Sequence, residues 1–188
     1  MNGVSFLSLD RTERESRFHP LARSAMERRL RDAGAEFAER DGWLVATRVP
    51  GEEGHGLAIR DLTHLHRVAE GAEGMVVEYR AHGESAPTVT ALRWNGEAGT
   101  PEGTIDMSAG YAAIGIEGPG AETVLRRMTE LDLTNLPKVG AVAHARACVL
   151  EDGPESYRLV FEQEFGHYLW EVVVDAAEPL GGGPVGTS

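Results

Sequence analysis

The sequence predicts an α+β fold, a mixed or antiparallel sheet with helices packed on it. Three observations lead there. Apolar residues recur at helical spacing in separated stretches near 20–33, 121–130 and 164–177. Between them lie short runs enriched in β-formers and bounded by Gly, Pro, Asn and Asp clusters. The helical stretches are interspersed among hairpin-like groups of strands, an order that implies a sheet covered by helices on one face.

Residues 1–17 carry no clear period and read as an N-terminal arm. Pro20 suits a first helical position, and Leu21, Ala22, Ala25, Met26, Leu30 and Ala33 form an apolar stripe, so a helix is expected over 20–33, ending near Gly34. Residues 43–49 form a strand that Pro50-Gly51 stops. Further strands are expected at 56–62, 75–80 and 88–94. Residues 95–102 are turn chemistry and a candidate sub-boundary near 95–105, but neither side holds enough apolar residues to fold alone.

From Tyr111 a strand of small and apolar residues runs into the corner Gly118-Pro119-Gly120, which ends it and sets up a helix. On that helix Val124, Leu125 and Met128 share one face, with Arg126, Arg127 and Glu130 on the other. Residues 131–137 are a connector, because Pro137 biases Leu136 away from helical dihedrals. Strands at 141–150 and 157–163 flank the turn Glu151-Asp152-Gly153-Pro154. A last helix from Glu164 places Phe165, Leu169, Val172, Val173 and Ala176 on one face, and the Gly-rich segment 181–188 reads as a mobile tail. One domain, residues 18–180, accounts for the rest.

The composition narrows the function classes. A net charge of −12 disfavours nonspecific nucleic-acid binding, which rests on Lys and Arg neutralising phosphates. The basic residues Arg23, Arg28, Arg29 and Arg31 are interleaved with Glu27 and Asp32, as on a solvated amphipathic face. A single cysteine, Cys148, rules out an internal disulfide framework and a multi-cysteine zinc site. No apolar run is long enough to span a bilayer and the start is too polar for a signal peptide, so a cytoplasmic protein without membrane partners is expected. Neither a Walker loop nor a Gly-x-Gly-x-x-Gly turn follows a strand. His64 and His66 fall at strand spacing, but no carboxylate or thiol completes a metal-ligand set. His144 and Cys148 share strand parity without an orienting acid, so no metal and no nucleophilic dyad is expected.

Several short segments carry a family resemblance. Arg60-Asp61-Leu62-Thr63-His64-Leu65 is similar to the Asp-aliphatic-Ser-His-Met/Leu element of the glycine cleavage T-protein (aminomethyltransferase) family, and Asp41-Gly42-Trp43 upstream resembles its Gly-Gly-Trp. The corner Gly118-Pro119-Gly120-Ala121 is similar to that family's Gln-Gly-Pro-x-Ala. Tyr168-Leu169-Trp170-Glu171 with Ala176-Ala177 resembles its closing helix. The order and spacing of these motifs span most of residues 18–180. The resemblance implies a T-protein (folate-binding) domain with a sheet-lined pocket for tetrahydrofolate, a carboxylate near the pterin, and aromatic walls.

Carried over position by position, it implies Asp106 and Glu151 as candidate catalytic residues, and Leu65, Glu151 and Trp170 as candidate cofactor contacts. Each has a plainer role available. Asp106 suits a solvated turn, Glu151 and Asp152 suit hairpin-turn acids, and Trp43 and Trp170 suit core or interface aromatics. The chain also departs from the family. Its Arg146-Ala147-Cys148-Val149-Leu150-Glu151-Asp152-Gly153 is one residue shorter than Arg-Thr-Gly-Tyr-Thr-Gly-Glu-Asp-Gly and lacks the Tyr, and Gly103-Thr104-Ile105-Asp106 is a faint counterpart of Gly-x-x-Asp-Asp.

An inherited architecture with altered motifs implies an accessory subunit of a tetrahydrofolate-linked, amine-demethylating flavoenzyme, similar to the gamma subunit of heterotetrameric sarcosine oxidase. Its partners would be flavoprotein subunits of a hetero-oligomeric oxidase, with flavin held only in those partners. The alternative is a short folate-dependent aminomethyl or methyl transferase acting alone or as a homodimer.

Overall fold

The computed structural model describes residues 21–40, 42–71, 74–79, 90–93, 105–106 and 108–187. The expected arm at 1–17, Pro20, most of the turn-rich segment 95–105 and Gly103-Thr104 lie outside the described residues.

The central element is a six-stranded mixed sheet. Its strands are β4 (Leu57–Asp61), β9 (Tyr111–Glu117), β10 (Lys138–Val142), β11 (Ala145–Gly153), β12 (Ser156–Glu162) and β13 (Gly182–Pro184), in the spatial order β10-β11-β12-β9-β4-β13. All neighbours are antiparallel except β13, which runs parallel to β4 in the register Gly182↔Leu57 and Pro184↔Ile59. A three-stranded sheet orders β1 (Ala22–Arg23), β3 (Trp43–Arg48) and β2 (Glu36–Arg40) as β1-β3-β2. A four-stranded sheet orders β5 (His66–Gly71), β6 (Gly74–Tyr79), β7 (Thr90–Arg93) and β8 (Ile105–Asp106) as β7-β6-β5-β8. The helices are α1 (Glu27–Asp32), α2 (Ala121–Met128) and α3 (Gly166–Ala177). No helix among the described residues is long and apolar enough to cross a membrane.

Strand alternation divides the six-stranded sheet into two faces. On one, Ile114 and Ile116 of β9, Leu159 and Phe161 of β12, and Leu57 and Ile59 of β4 join Val124 and Leu125 of α2 and Leu169, Trp170 and Val173 of α3 in the main core. Each such fully buried aliphatic or aromatic side chain stabilises the fold by about 1.5–3 kcal/mol. On the opposite face, Ala113, Cys148, Leu150 and Val160 meet Leu62 and Leu65 in a smaller cluster. The chain turns from β9 into α2 at Gly118, whose φ is +117, where an added Cβ would lie 3.3 Å from Leu57 Cα and overlap the Gly56 carbonyl oxygen. That close approach is the physical content of the Gly-Pro-Gly corner.

Five expectations need correction. The first helix does not span 20–33 but only Glu27–Asp32, because Ala22 and Arg23 pair in parallel with Trp43 and Leu44, and Ala22 N–H donates to the Gly42 carbonyl at 2.7 Å. Strands β2 and β5 are additional; their sequences, Glu-Phe-Ala-Glu-Arg and His-Arg-Val-Ala-Glu-Gly, are too charged to read as half-buried strands. Residues 141–150 are not one strand. They are the hairpin β10–β11, with Ala143 and His144 at its turn in the left-handed region (φ 46° and 66°). The inward stripe of α3 is Gly166, Leu169, Trp170, Val173 and Ala177, one position on from Phe165, Val172 and Ala176.

The fifth correction is the tail. Residues 182–187 are bound into the structure rather than loose. Val185 N–H donates to the Ile59 carbonyl (2.9 Å) and Thr187 N–H to the Ala46 carbonyl (2.8 Å). Glu52 Oε2 accepts from both Val49 N–H (3.0 Å) and Gly186 N–H (2.7 Å), and these donors hold its carboxyl below the usual range. Arg60 donates to the Gly186 carbonyl, and Arg40 Nη1 to that of Thr187 at 2.9 Å.

Candidate functional site

The segment 60–65 is set by Asp61. Buried at the end of β4, its carboxylate accepts from Thr63 N–H at 3.0 Å. Thr63 Oγ1 in turn accepts from Ala113 N–H at 3.2 Å and lies 3.4 Å from Ser24 Oγ. With Leu62 N–H on the Ala113 carbonyl and Leu65 N–H on the Leu62 carbonyl, both at 2.9 Å, residues 63–65 close into a 3-10 turn that drives Leu62 and Leu65 into the smaller cluster. His64 therefore sits on that turn and His66 opens β5, so the two are not i and i+2 of one strand.

Burial pushes the Asp61 carboxyl up, outweighing the hydroxyls of Ser24 and Thr63 and the Thr63 N–H, which favour its ionised form. The native state thus binds the Asp61 proton more tightly than the unfolded chain. This group's contribution is fully present below the ordinary carboxylate range near pH 4 and is lost as pH rises through the folded-state value. Asp61→Asn, which keeps an acceptor for Thr63 N–H, should gain stability relative to wild type as pH rises and lose that advantage in acid. Urea unfolding of both proteins at several pH values measures the difference. A difference that does not change with pH, or one of opposite sign, would show that burial of charge at Asp61 is unimportant.

The hairpin β11–β12 holds a feature that motif reading passed over. Arg158 interrupts the apolar run Tyr157-Arg158-Leu159-Val160-Phe161, and its side chain is only 2% exposed. Alternation places it with Val160 on the face of the smaller cluster, opposite Leu150 on β11 and Gly115 on β9. Its fork meets the Asp152 carboxylate on both sides, Nε to Oδ2 at 2.7 Å and Nη2 to Oδ1. Asp152 reaches it because the register slips between Glu151 and Gly153. The signal was present in the sequence as a lone charge in an apolar strand with an acid across a tight turn. Nearby Cys148 is buried, which pushes its thiol up to about 12 and makes it an inert core residue; His144 is exposed on the β10–β11 turn and forms no dyad with it.

The structure separates the proposed contacts. Leu65 lies in the smaller cluster on one face of the six-stranded sheet, and Trp170 lies in the main core on the other. Glu151 is exposed and sits opposite Tyr157, hence on the Trp170 side at the sheet's end. Asp106 is in a strand rather than a turn, paired with Ala69 in the four-stranded sheet. Leu65 and Trp170 are thus on opposite faces of the six-stranded sheet, with Glu151 on the Trp170 side. No group of three His, Cys, Asp or Glu side chains among the described residues is placed to hold a metal ion.

No family model matches the chain. A curated relative, the aminomethyltransferase of Flavobacterium psychrophilum, is 25% identical over 89 residues, which cover 43% of this chain and 25% of that protein. Among solved structures, the glycine cleavage system aminomethyltransferase T from Bartonella henselae matches with a TM-score of 0.58 and 12% identity, over 88% of this chain and 60% of that one. The heterotetrameric sarcosine oxidase from Corynebacterium sp. U-96 in complex with pyrrole 2-carboxylate matches with a TM-score of 0.45 and 18% identity, over 84% of this chain and 95% of that one. The matched part is thus a quarter of the curated relative's length and less than two thirds of the solved aminomethyltransferase. In fold, and in sequence over the aligned residues, this chain is T-protein-like.

Proposed function

We propose that this chain is an accessory subunit of a tetrahydrofolate-linked, amine-demethylating flavoenzyme complex, and that it braces the partner subunits while the chemistry takes place in them. One observation carries this reading. The residues that the T-protein resemblance marks for folate and catalysis, Leu65, Asp106, Glu151 and Trp170, are distributed over two faces of one sheet and a second sheet. Catalysis needs its groups within hydrogen-bond reach of a common substrate. The shortened turn around Glu151 supports the same conclusion, since the acid there projects into solvent while its neighbour Asp152 is taken up by Arg158.

The bracing role predicts that affinity purification of the tagged chain from its native source recovers flavin-containing subunits in fixed stoichiometry. Recovery of the chain alone would overturn it. Calorimetric titration with tetrahydrofolate tests the transferase reading separately. The isolated chain is expected to release no binding heat, whereas tight binding abolished by Glu151→Ala would establish the short folate enzyme instead.

A further inference from the structure

Residues 182–187 fill a slot between two sheets. On one side Gly182-Gly183-Pro184 pairs with β4, and Val185 N–H donates to the Ile59 carbonyl. On the other, Thr187 N–H donates to the Ala46 carbonyl of β3. Three charged side chains complete the hold, Glu52 accepting from Gly186 N–H while Arg60 and Arg40 donate to the carbonyls of Gly186 and Thr187. All of these bonds go to main-chain groups of the segment, the contacts by which a sheet edge takes up an extended peptide.

The slot also selects what it holds. Gly186 lies against the Thr47 carbonyl and Gly183 against the His55 ring, so that a Cβ at either position would overlap its neighbour. Val185 and Thr187 are each only 7% exposed, and Thr187 Oγ1 donates to the Asp61 carbonyl at 3.2 Å. An occupant must therefore present two glycines three positions apart, with a small apolar residue just before the second and a hydroxyl just after it.

The connection into the segment is of a different character. It consists of the 3-10 turn Glu178–Leu180 and Gly181, and Glu178, Pro179 and Gly181 are exposed while Gly182 and Gly183 are buried. Gly181 has a φ of +76, a region that glycine enters as readily as any other. The same segment of a second copy would make the same contacts in the slot, so a closed chain and an exchanged pair differ in this connection rather than in the contacts.

We propose that the slot between β3 and β4 is a recognition site for the strand 182–187, filled within the chain here and able to take that strand from a second copy. The proposal goes beyond the accessory-subunit reading and does not depend on it.

The test uses the full chain with Gly186→Ala, whose own segment cannot seat, and a fluorescent synthetic peptide of residues 182–188 titrated by anisotropy. Near-UV circular dichroism establishes that the variant is folded. The wild-type peptide is expected to bind this variant, and a peptide carrying Gly186→Ala to bind about tenfold more weakly or worse. A folded variant that takes up no peptide overturns the proposal. Equal binding of the two peptides overturns the glycine selection.

A second variant leaves the slot and the strand unchanged. Deleting Pro179–Gly181 makes the connection too short for the strand to reach its own slot, so light scattering should show a dimer, and a monomer once Gly186→Ala is added. The wild-type peptide should convert that dimer to monomers. A deletion variant that is folded and monomeric overturns exchange between copies.

Discussion

Asp152→Ala is expected to destabilise the chain by about 3 kcal/mol, measured as a shift of the urea midpoint at unchanged slope. The carboxylate takes two donors of a guanidinium that is almost wholly removed from water. Asp152 itself is 32% exposed, so solvent screens its end of the pair and the loss falls at the low end for a buried ion pair. The charge-assisted geometry still makes it far larger than for a surface bridge such as Arg126 with Glu122, whose removal should cost well under about 1 kcal/mol. The double variant Asp152→Ala with Arg158→Leu should recover much of the loss, because a leucine between Val160 and Leu150 matches the apolar cluster around it. A loss below about 1 kcal/mol for the single variant would show that the pair is not what holds the β11–β12 hairpin together.

Gly186→Ala is expected to cost about 3 kcal/mol or more and to free the segment 182–187. A Cβ at this position would overlap the Thr47 carbonyl group and come within 2.5 Å of Arg48 N. These are backbone atoms of a paired strand, so β3 cannot yield, and the tail must lift instead. Lifting it breaks the bonds from Thr187 N–H to Ala46, from Gly186 N–H to Glu52, and from Arg60 to the Gly186 carbonyl. Hydrogen exchange should show protection lost across 182–187 and reduced in β3 and β4. Wild-type protection there in the variant would mean that the close approach of tail and β3 is not formed in solution.

The contrast between these two sites explains how far the sequence could be read. The span 111–177 announced itself because its elements are local: β9 ends at a glycine corner, α2 has a clean apolar face, and α3 follows β12 after a short turn. The stripe Val124, Leu125 and Met128 is buried as its spacing predicts. What composition hid were the elements made by distant partners. Ala22 and Arg23 sit in a helical pattern but are claimed by β3, and Gly182-Gly183-Pro184 reads as linker but is claimed by β4. Glycine is required in that tail for close approach, which a sequence cannot distinguish from glycine used for looseness. The candidate site followed the same rule. Motif order located the T-protein-like fold, while the side of the sheet on which Leu65, Glu151 and Trp170 lie depended on register and on a bulge between Glu151 and Gly153.

The parallel pairing of β13 with β4 has a consequence for synthesis. Strands β10, β11 and β12 meet through adjacent hairpins and can form as soon as they are made, but β4 is completed long before its outer neighbour exists. Until β13 arrives, β4 presents an open row of amide and carbonyl groups beside Leu57 and Ile59, a template on which a strand of another nascent chain can add. Translation that stops before residue 182 would therefore yield a product prone to edge-to-edge association, and chaperone capture of stalled chains should fall sharply once β13 has emerged.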